Sequence, residues 1–192
     1  GKFIAAVLRN PKITEAVRNL LFVRNGLILG IGSGYQALVK LGLLPYGDIK
    51  DDMTSGDIAL SFNRIGKYQS YMAYTRVASV NSPWFINVNV GDIHSIPVSH
   101  AEGRLSANEA MLNSLIQNGQ IATQYCDLNG NPTMHPYYNP DASIYAIEGL
   151  FALDGRIFGK MGHSERMGKN VMKNVPGNKN QNIFSSGVKY FK

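Results

Sequence analysis

The stretch Gly30-Ile31-Gly32-Ser33-Gly34-Tyr35-Gln36 constrains this chain more than any other. It joins an apolar run, Leu27-Ile28-Leu29, to a segment with helical apolar spacing, Ala37-Leu38-Val39-Lys40-Leu41. A strand that passes into a helix through so few residues needs a very tight turn. Gly30 and Gly34 stand two positions either side of Gly32, the spacing of a nucleophile elbow. There, glycines relieve crowding around a strained central residue held at the C-terminal edge of a sheet. In this chain the central residue is Gly32, which carries no nucleophile.

The 192 residues suffice for one domain with a real core and are too few for two large ones. The chain is therefore expected to be a single domain over 1–192. Net charge is +6, and much of the excess sits late, at Lys160, Arg166, Lys169, Lys173, Lys179, Lys189 and Lys192. Residues 167–182 are basic, rich in Gly and Asn, and poor in large apolar residues, which reads as a solvated loop. No aromatics interleave with the lysines of that loop as a base-stacking platform requires, so nucleic acid is not an expected partner.

The one cysteine, Cys126, leaves no disulfide framework and fits a reducing, cytoplasmic setting. No apolar run approaches the ~20 residues that span a bilayer, so no membrane is expected either. The apolar start, Gly1 to Arg9, has no small-residue cleavage site after it and reads as a helix rather than a signal peptide. A chain that begins directly on a helix is expected to be the C-terminal fragment of something longer.

Pro11 to Arg24 predicts an amphipathic helix, ended by Asn25-Gly26 before the Leu27–Ile31 strand. Helix-to-strand order with a short link argues for an α/β sheet. The elbow helix stops at Leu41-Gly42, and residues 48–56 read as a polar loop. Alternation then predicts strands, with Ile58, Leu60 and Phe62 on one face and β character through Tyr71–Val80 and Trp84–Val90. Ser95–Val98 predicts a further strand, running into a loop over Ser99–Arg104. Asn108 caps a helix over Glu109–Gln117, followed by an Ile121–Tyr125 strand and a long loop from Asp127 to Asp141. Tyr145–Leu150 and Arg156–Lys160 read as strands joined by a Leu153-Asp154-Gly155 turn, with a closing segment at Ile183–Phe191.

Two His/Glu pairs at i, i+2 can carry acid–base chemistry: His100/Glu102 and His163/Glu165. In extended chain such a pair faces one way, so the carboxylate can orient the imidazole. The second pair follows a strand end late in a chain that has its elbow early, the order of several elbow enzymes. His94, His100, His135 and His163 match no zinc spacing and Cys126 has no partner cysteine, so no metal is expected.

These residues carry a family resemblance. Gly30 to Gly47 resembles the Gly-Ile-Cys-Asn-Gly-Phe-Gln-Ala-Leu segment of the glutaminase domain of the large, single-chain phosphoribosylformylglycinamidine synthases. Pro97–Arg104 is similar to that family's His-Gly/Ala-Glu-Gly-Arg signature. Asn118–Pro132, Asn139–Ile144 and Gly159–Arg166 match in order and spacing, so the resemblance runs from residue 1 to 192. It implies a class I glutamine amidotransferase fold, expected here as a doubly wound, mostly parallel sheet with flanking helices that lacks its first strands.

The resemblance further implies a division of labour. An elbow cysteine attacks the glutamine side-chain amide, and the released ammonia passes to a synthetase domain of the same enzyme. There it converts formylglycinamide ribonucleotide to the amidine with ATP and Mg; the glutaminase domain needs no cofactor. By position, His163 is the implied general base and acid, Glu165 its orienting carboxylate, and the Ser33 N–H an oxyanion donor. Gln36, with Asn63 and Gly66, is implied to hold glutamine, and His100, Glu102 and Arg104 to contact or support the neighbouring domain.

Two departures stand out: the family's cysteine falls on Gly32 and its asparagine on Ser33. Glycine offers nothing to attack an amide carbon. Ser33 lies one residue off the strained position with no base implied beside it, and Cys126 reads as a buried core thiol. The leading expectation is a glutaminase domain without its nucleophile. The alternatives are a non-catalytic domain docking on the synthetase part and, more remotely, a small α/β hydrolase using Ser33.

Overall fold

The computed structural model describes residues 1–192 and has three layers. A six-stranded sheet has the strand order Ile28–Ile31, Ile157–Lys160, Ile147–Phe151, Ile121–Tyr125, Gln69–Val77 and Ile93–His100, and a separate two-stranded sheet pairs Ala59–Phe62 with Glu102–Ser106. The N-terminal helices α1 (Lys2–Leu8) and α2 (Pro11–Arg18) lead through a wide turn to β1 (Ile28–Ile31). Asn10 caps α2 by accepting from the Lys12 N–H, and Pro11 occupies the first helical position, where its missing N–H costs nothing. After β1 come α3 (Ser33–Lys40) and the short α4 (Leu43–Tyr46). The β strands continue with β2 (Ala59–Phe62), β3 (Gln69–Val77), β4 (Ile93–His100) and β5 (Glu102–Ser106). Helix α5 (Glu109–Gln117) precedes β6 (Ile121–Tyr125), β7 (Ile147–Phe151), β8 (Ile157–Lys160) and the closing helix α6 (Ile183–Tyr190).

The central strands are buried on both faces, and their alternation divides the core. Ile121, Leu150 and Ile157 face the layer built by α3, α4 and α5, with Tyr35, Leu38 and Leu115 among its buried residues. Ala122, Phe151 and Phe158 face the opposite layer with Phe85 and Ile183. Phe85 meets Phe151 and Phe158 edge-on, with both centroids 5.0 Å away, a favoured aromatic geometry. No helix is long and apolar enough to cross a membrane.

The sheet is mixed rather than mostly parallel, which corrects the expected doubly wound arrangement. Only β1 and β8 run parallel; β8–β7, β7–β6, β6–β3 and β3–β4 are all antiparallel. The Leu153-Asp154-Gly155 turn already required this, because a link that short cannot carry a parallel crossover.

Local expectations fail for identifiable reasons. Trp84–Val90 is not a strand: Ser82 accepts from the Trp84 N–H at 3.1 Å and starts a 3-10 turn over Pro83–Phe85. Phe62 does not share a face with Ile58 and Leu60, since a register shift between Ser61 and Phe62 turns it outward. Ser99–Arg104 is not a loop but the end of β4 and the start of β5. The closing segment is a helix, and residues 167–182 hold no regular element.

The approach of α3 to β1 is set by Gly30. A Cβ there would lie 2.5 Å from Leu38 Cδ1 and 2.8 and 2.9 Å from the backbone of Gly34. Gly34 itself has open space where a Cβ would project. Gly30→Ala should therefore cost about 1–3 kcal/mol by overpacking, while Gly34→Ala should be neutral or stabilise by up to about 1 kcal/mol; thermal unfolding followed by circular dichroism distinguishes the two. Asp57, between α4 and β2, offers a pH test. The Tyr46 hydroxyl and the Thr54 N–H, 2.6 Å away, hold its carboxyl well below the usual range. That contribution is present above the unfolded value near ~4 and fades as pH falls. Asp57→Asn should lower the Tm at neutral pH, with the difference closing in acid.

Candidate active site

Gly32 forms the turn between β1 and α3 with φ +54° and ψ −111°, a conformation that L side chains rarely adopt. Its N–H extends the parallel ladder by donating to Lys160 C=O at 2.9 Å. Ser33 and Gly34 open α3, so their N–H groups have no intrahelical acceptor and the positive end of the helix dipole faces outward there. Beyond the end of β8, His163 returns over this turn. A Cβ at residue 32 would stand 3.3 Å from His163 Cε1 and 3.4 Å from Nε2. On the far side of the ring, Nδ1 lies 2.6 Å from Glu165 Oε1. A carboxylate there accepts the Nδ1 proton and leaves Nε2 as the acceptor, aimed at residue 32.

A cavity of about 640 Å³ opens in front of this arrangement. Gly32, Ser33, Gln36, His100, Glu102 and His163 line it, with Phe3, Tyr68 and Arg166 toward its mouth. Gln36 reaches across to donate from Nε2 to Glu102 C=O at 2.7 Å, joining α3 to the start of β5. A second cleft, of about 430 Å³ and lined by Tyr71, Tyr74, Pro136 and Tyr137, contains none of the residues singled out from the sequence.

The three residues of the His-x-Glu-x-Arg motif part company. His100 is buried, and its Nε2 lies 2.6 Å from Asp141 Oδ1 rather than against Glu102. Asp141 also accepts from the Tyr125 hydroxyl at 2.6 Å, so one carboxylate satisfies two buried side chains from β4 and β6. Gly103 is required beside them, because a Cβ would lie 2.8 Å from Asp141 Oδ2 and would collide with the His100 ring. Arg104 points elsewhere, its Nε donating to Ser61 Oγ at 3.1 Å, and lines a different cleft with Arg64.

Asn63 and Gly66, expected to hold glutamine, do not line the cavity. Asn63 is buried, donating to His100 C=O at 3.0 Å and accepting from Gly103 N–H at 3.0 Å. Its amide is spent on holding the β4–β5 corner. Gly66 sits in the following turn at φ +67°. Cys126 is fully buried at the end of β6, and burial pushes its thiol up to about 12, so it carries no thiolate at neutral pH. Ser33 lines the cavity without a hydrogen bond from its hydroxyl to His163. No three His, Cys, Asp or Glu side chains converge in a way that could hold a metal ion.

Lys160 was missed. Counted from the sequence among the late basic residues, it is entirely buried at the end of β8, between Glu148, Ser164 and Gln181. Its position as the last residue of a strand buried on both faces was the available signal.

A three-layer α/β domain with a strained elbow at a sheet edge and a carboxylate-paired histidine over it has the architecture of the glutamine amidotransferases. The chain belongs to the family of CobB/CobQ-like glutamine amidotransferase domains, whose model it matches over residues 1–191. It is 32% identical over 186 residues to the phosphoribosylformylglycinamidine synthase subunit PurQ of Symbiobacterium thermophilum, covering 97% of this chain and 71% of that protein. With the PurQ of Gloeobacter violaceus it shares 32% identity over 161 residues, covering 84% of this chain and 63% of the relative's length. Among solved structures, PurLQS from Thermotoga maritima superposes with a TM-score of 0.68 at 25% identity, covering 98% of this chain and 72% of that one.

Asp141 makes the site's support testable. Asp141→Ala would leave His100 Nε2 and the Tyr125 hydroxyl buried without their partner and should cost about 3 kcal/mol. Glu102→Ala, two residues from His100 in the same motif, should change stability by no more than about 0.5 kcal/mol. Denaturant unfolding of both variants measures the contrast.

Proposed function

We propose that this chain is the glutaminase-type domain of a phosphoribosylformylglycinamidine synthase with a vacant nucleophile position, so that it does not hydrolyse glutamine. The geometry around residue 32 carries the reading. An elbow backbone, free helix N–H groups and a Glu165-paired His163 surround a point 3.3 Å from the imidazole where Gly32 supplies no atom. Membership of the amidotransferase family and likeness to PurQ proteins support the pathway.

In a thiol glutaminase, sulfur adds to the side-chain amide carbon while the imidazole takes the thiol proton. The tetrahedral oxygen is held by backbone N–H groups, and the C–N bond breaks as the imidazole returns the proton to the leaving ammonia. Water then hydrolyses the thioester. With Gly32 there is no sulfur–carbon bond to form, and positioning alone does not replace it. His163 Nε2 keeps its direction, the Ser33 N–H remains available to an oxyanion, and Gln36 remains on the cavity wall as a candidate glutamine contact. The parent synthase would then rely on free ammonia to convert formylglycinamide ribonucleotide to the amidine in its ATP- and Mg-dependent synthetase part.

A second reading is a non-catalytic structural or regulatory domain that docks on that synthetase part. The exposed Phe3 and Tyr68 at the cavity mouth favour it, since apolar side chains at a site entrance suit a covering surface. A calorimetric titration with glutamine separates the two: binding without turnover supports a retained substrate pocket, and no binding supports docking alone.

The unaltered chain should release no ammonia from glutamine above a buffer blank; steady turnover would overturn the reading. In the full-length protein Gly32→Cys should introduce glutamine hydrolysis and cost about 1–3 kcal/mol of stability, because a side chain at this positive φ is strained. An ammonia assay and thermal unfolding on the same preparation read both effects.

A further inference from the structure

Beneath the His163 loop lies a buried polar network that the reading above does not use. Lys160 and Glu148 are both completely buried, on adjacent strands. The Lys160 ammonium donates to Gln181 Oε1 at 2.6 Å and to Ser164 Oγ at 2.8 Å, and pairs with Glu148 Oε1 at 3.5 Å. Glu148 also accepts from the Gly162 N–H at 2.6 Å and from the Thr123 hydroxyl. Ser164 donates in turn to Gln181, and Gln181 Nε2 lies 3.4 Å from Thr75 Oγ1.

The network grips the chain on both sides of His163. Gly162 precedes it and is tied to Glu148; Ser164 follows it and is tied to Lys160. The His163 N–H itself donates to Pro97 C=O at 2.8 Å. The loop packs closely at Gly162, where a Cβ would come within 2.8 Å of Ile96 Cγ2 and 2.9 Å of Glu148 Oε1. On the other side of the site, Lys160 C=O accepts the Gly32 N–H. One residue thus holds the elbow through its backbone and the histidine loop through its side chain.

Burial pushes the ammonium below its ordinary value, with Glu148 acting against that shift. A buried ion pair is a costly way to fill a core position that a methionine could occupy, so its placement calls for a geometric role.

We infer that Lys160 is a positioning residue: with Glu148 and Ser164 it fixes the 161–164 backbone so that His163 presents Nε2 to residue 32 while Nδ1 stays on Glu165. The inference rests on the reading of residue 32 as the nucleophile position. It concerns the imidazole alone, and so can be tested without glutamine.

The test is nitrogen-edited NMR of the histidine side chains in the unaltered chain and in Lys160→Met, Ser164→Ala and the remote control Asp57→Asn, each well below its unfolding temperature. The unaltered chain and Asp57→Asn should show one slowly exchanging Nδ1 proton for His163, bonded to Glu165. Lys160→Met should lose that signal and show exchange between tautomers, and Ser164→Ala should weaken it. A folded Lys160→Met with the His163 signals unchanged would overturn the inference. If Lys160→Met does not fold, unchanged signals in Ser164→Ala would do the same, because that variant removes the link while leaving the ion pair. Failure of Gly32→Cys to hydrolyse glutamine, with the histidine signals as expected, would count against the reading of residue 32 as a nucleophile position and not against the hold of Lys160 on the His163 loop.

Discussion

Two glycines facing each other across the parallel strands govern the site. Gly30 of β1 and Gly159 of β8 are paired in register, and neither has a Cβ to hold α3 and α4 away. Leu38 descends onto Gly30, while Tyr35 and Leu44 descend onto Gly159. The helix therefore starts as soon as the strand ends, and the turn between them must be as tight as Gly32 makes it. With larger residues on that floor, α3 would ride higher, the elbow would open and its N–H groups would lose their aim at the cavity. Close packing at this point sets the geometry on which positioning depends.

The second half of the site is brought in by the same pair of strands. Since β8 runs beside β1 in the same direction, both release their chains at one edge of the sheet. The elbow emerges from one strand and the His163 loop from its neighbour. Lys160, the last residue of β8, is where the two meet. The domain thus builds its candidate chemistry from two adjacent strand ends and supports it with buried polar groups from β4, β6 and β7.

Much of this was legible in the sequence where a residue's role depends on near neighbours. The elbow, the Asn108 cap, the α5 helix and the Gly155 turn are local signals, and the structure has each at its expected position. His163 and Glu165 are two residues apart, so their hydrogen bond could be anticipated. Roles decided by distant partners were not readable. Asp141 takes His100 away from Glu102, and Asn63 is bonded into the β4–β5 corner. The bulge that turns Phe62 outward leaves no mark in a pattern of alternating residues. Lys160 looked like solvated charge because composition carries no information about burial. Family likeness implies a mostly parallel sheet, whereas the short turn before β8 points to an antiparallel pair.

The β1–β8 pairing also sets when the site can exist. Residue 28 lies opposite residue 157, so nearly the whole intervening chain must be gathered before the two strands touch. The hairpins β3–β4 and β7–β8 close much shorter loops and can form first. Entropy penalises the long closure, and such non-local pairing is slow. Until it is complete, Gly32 and His163 belong to separate pieces of a growing structure. The cavity thus depends on one long-range closure and cannot exist before that strand pair does.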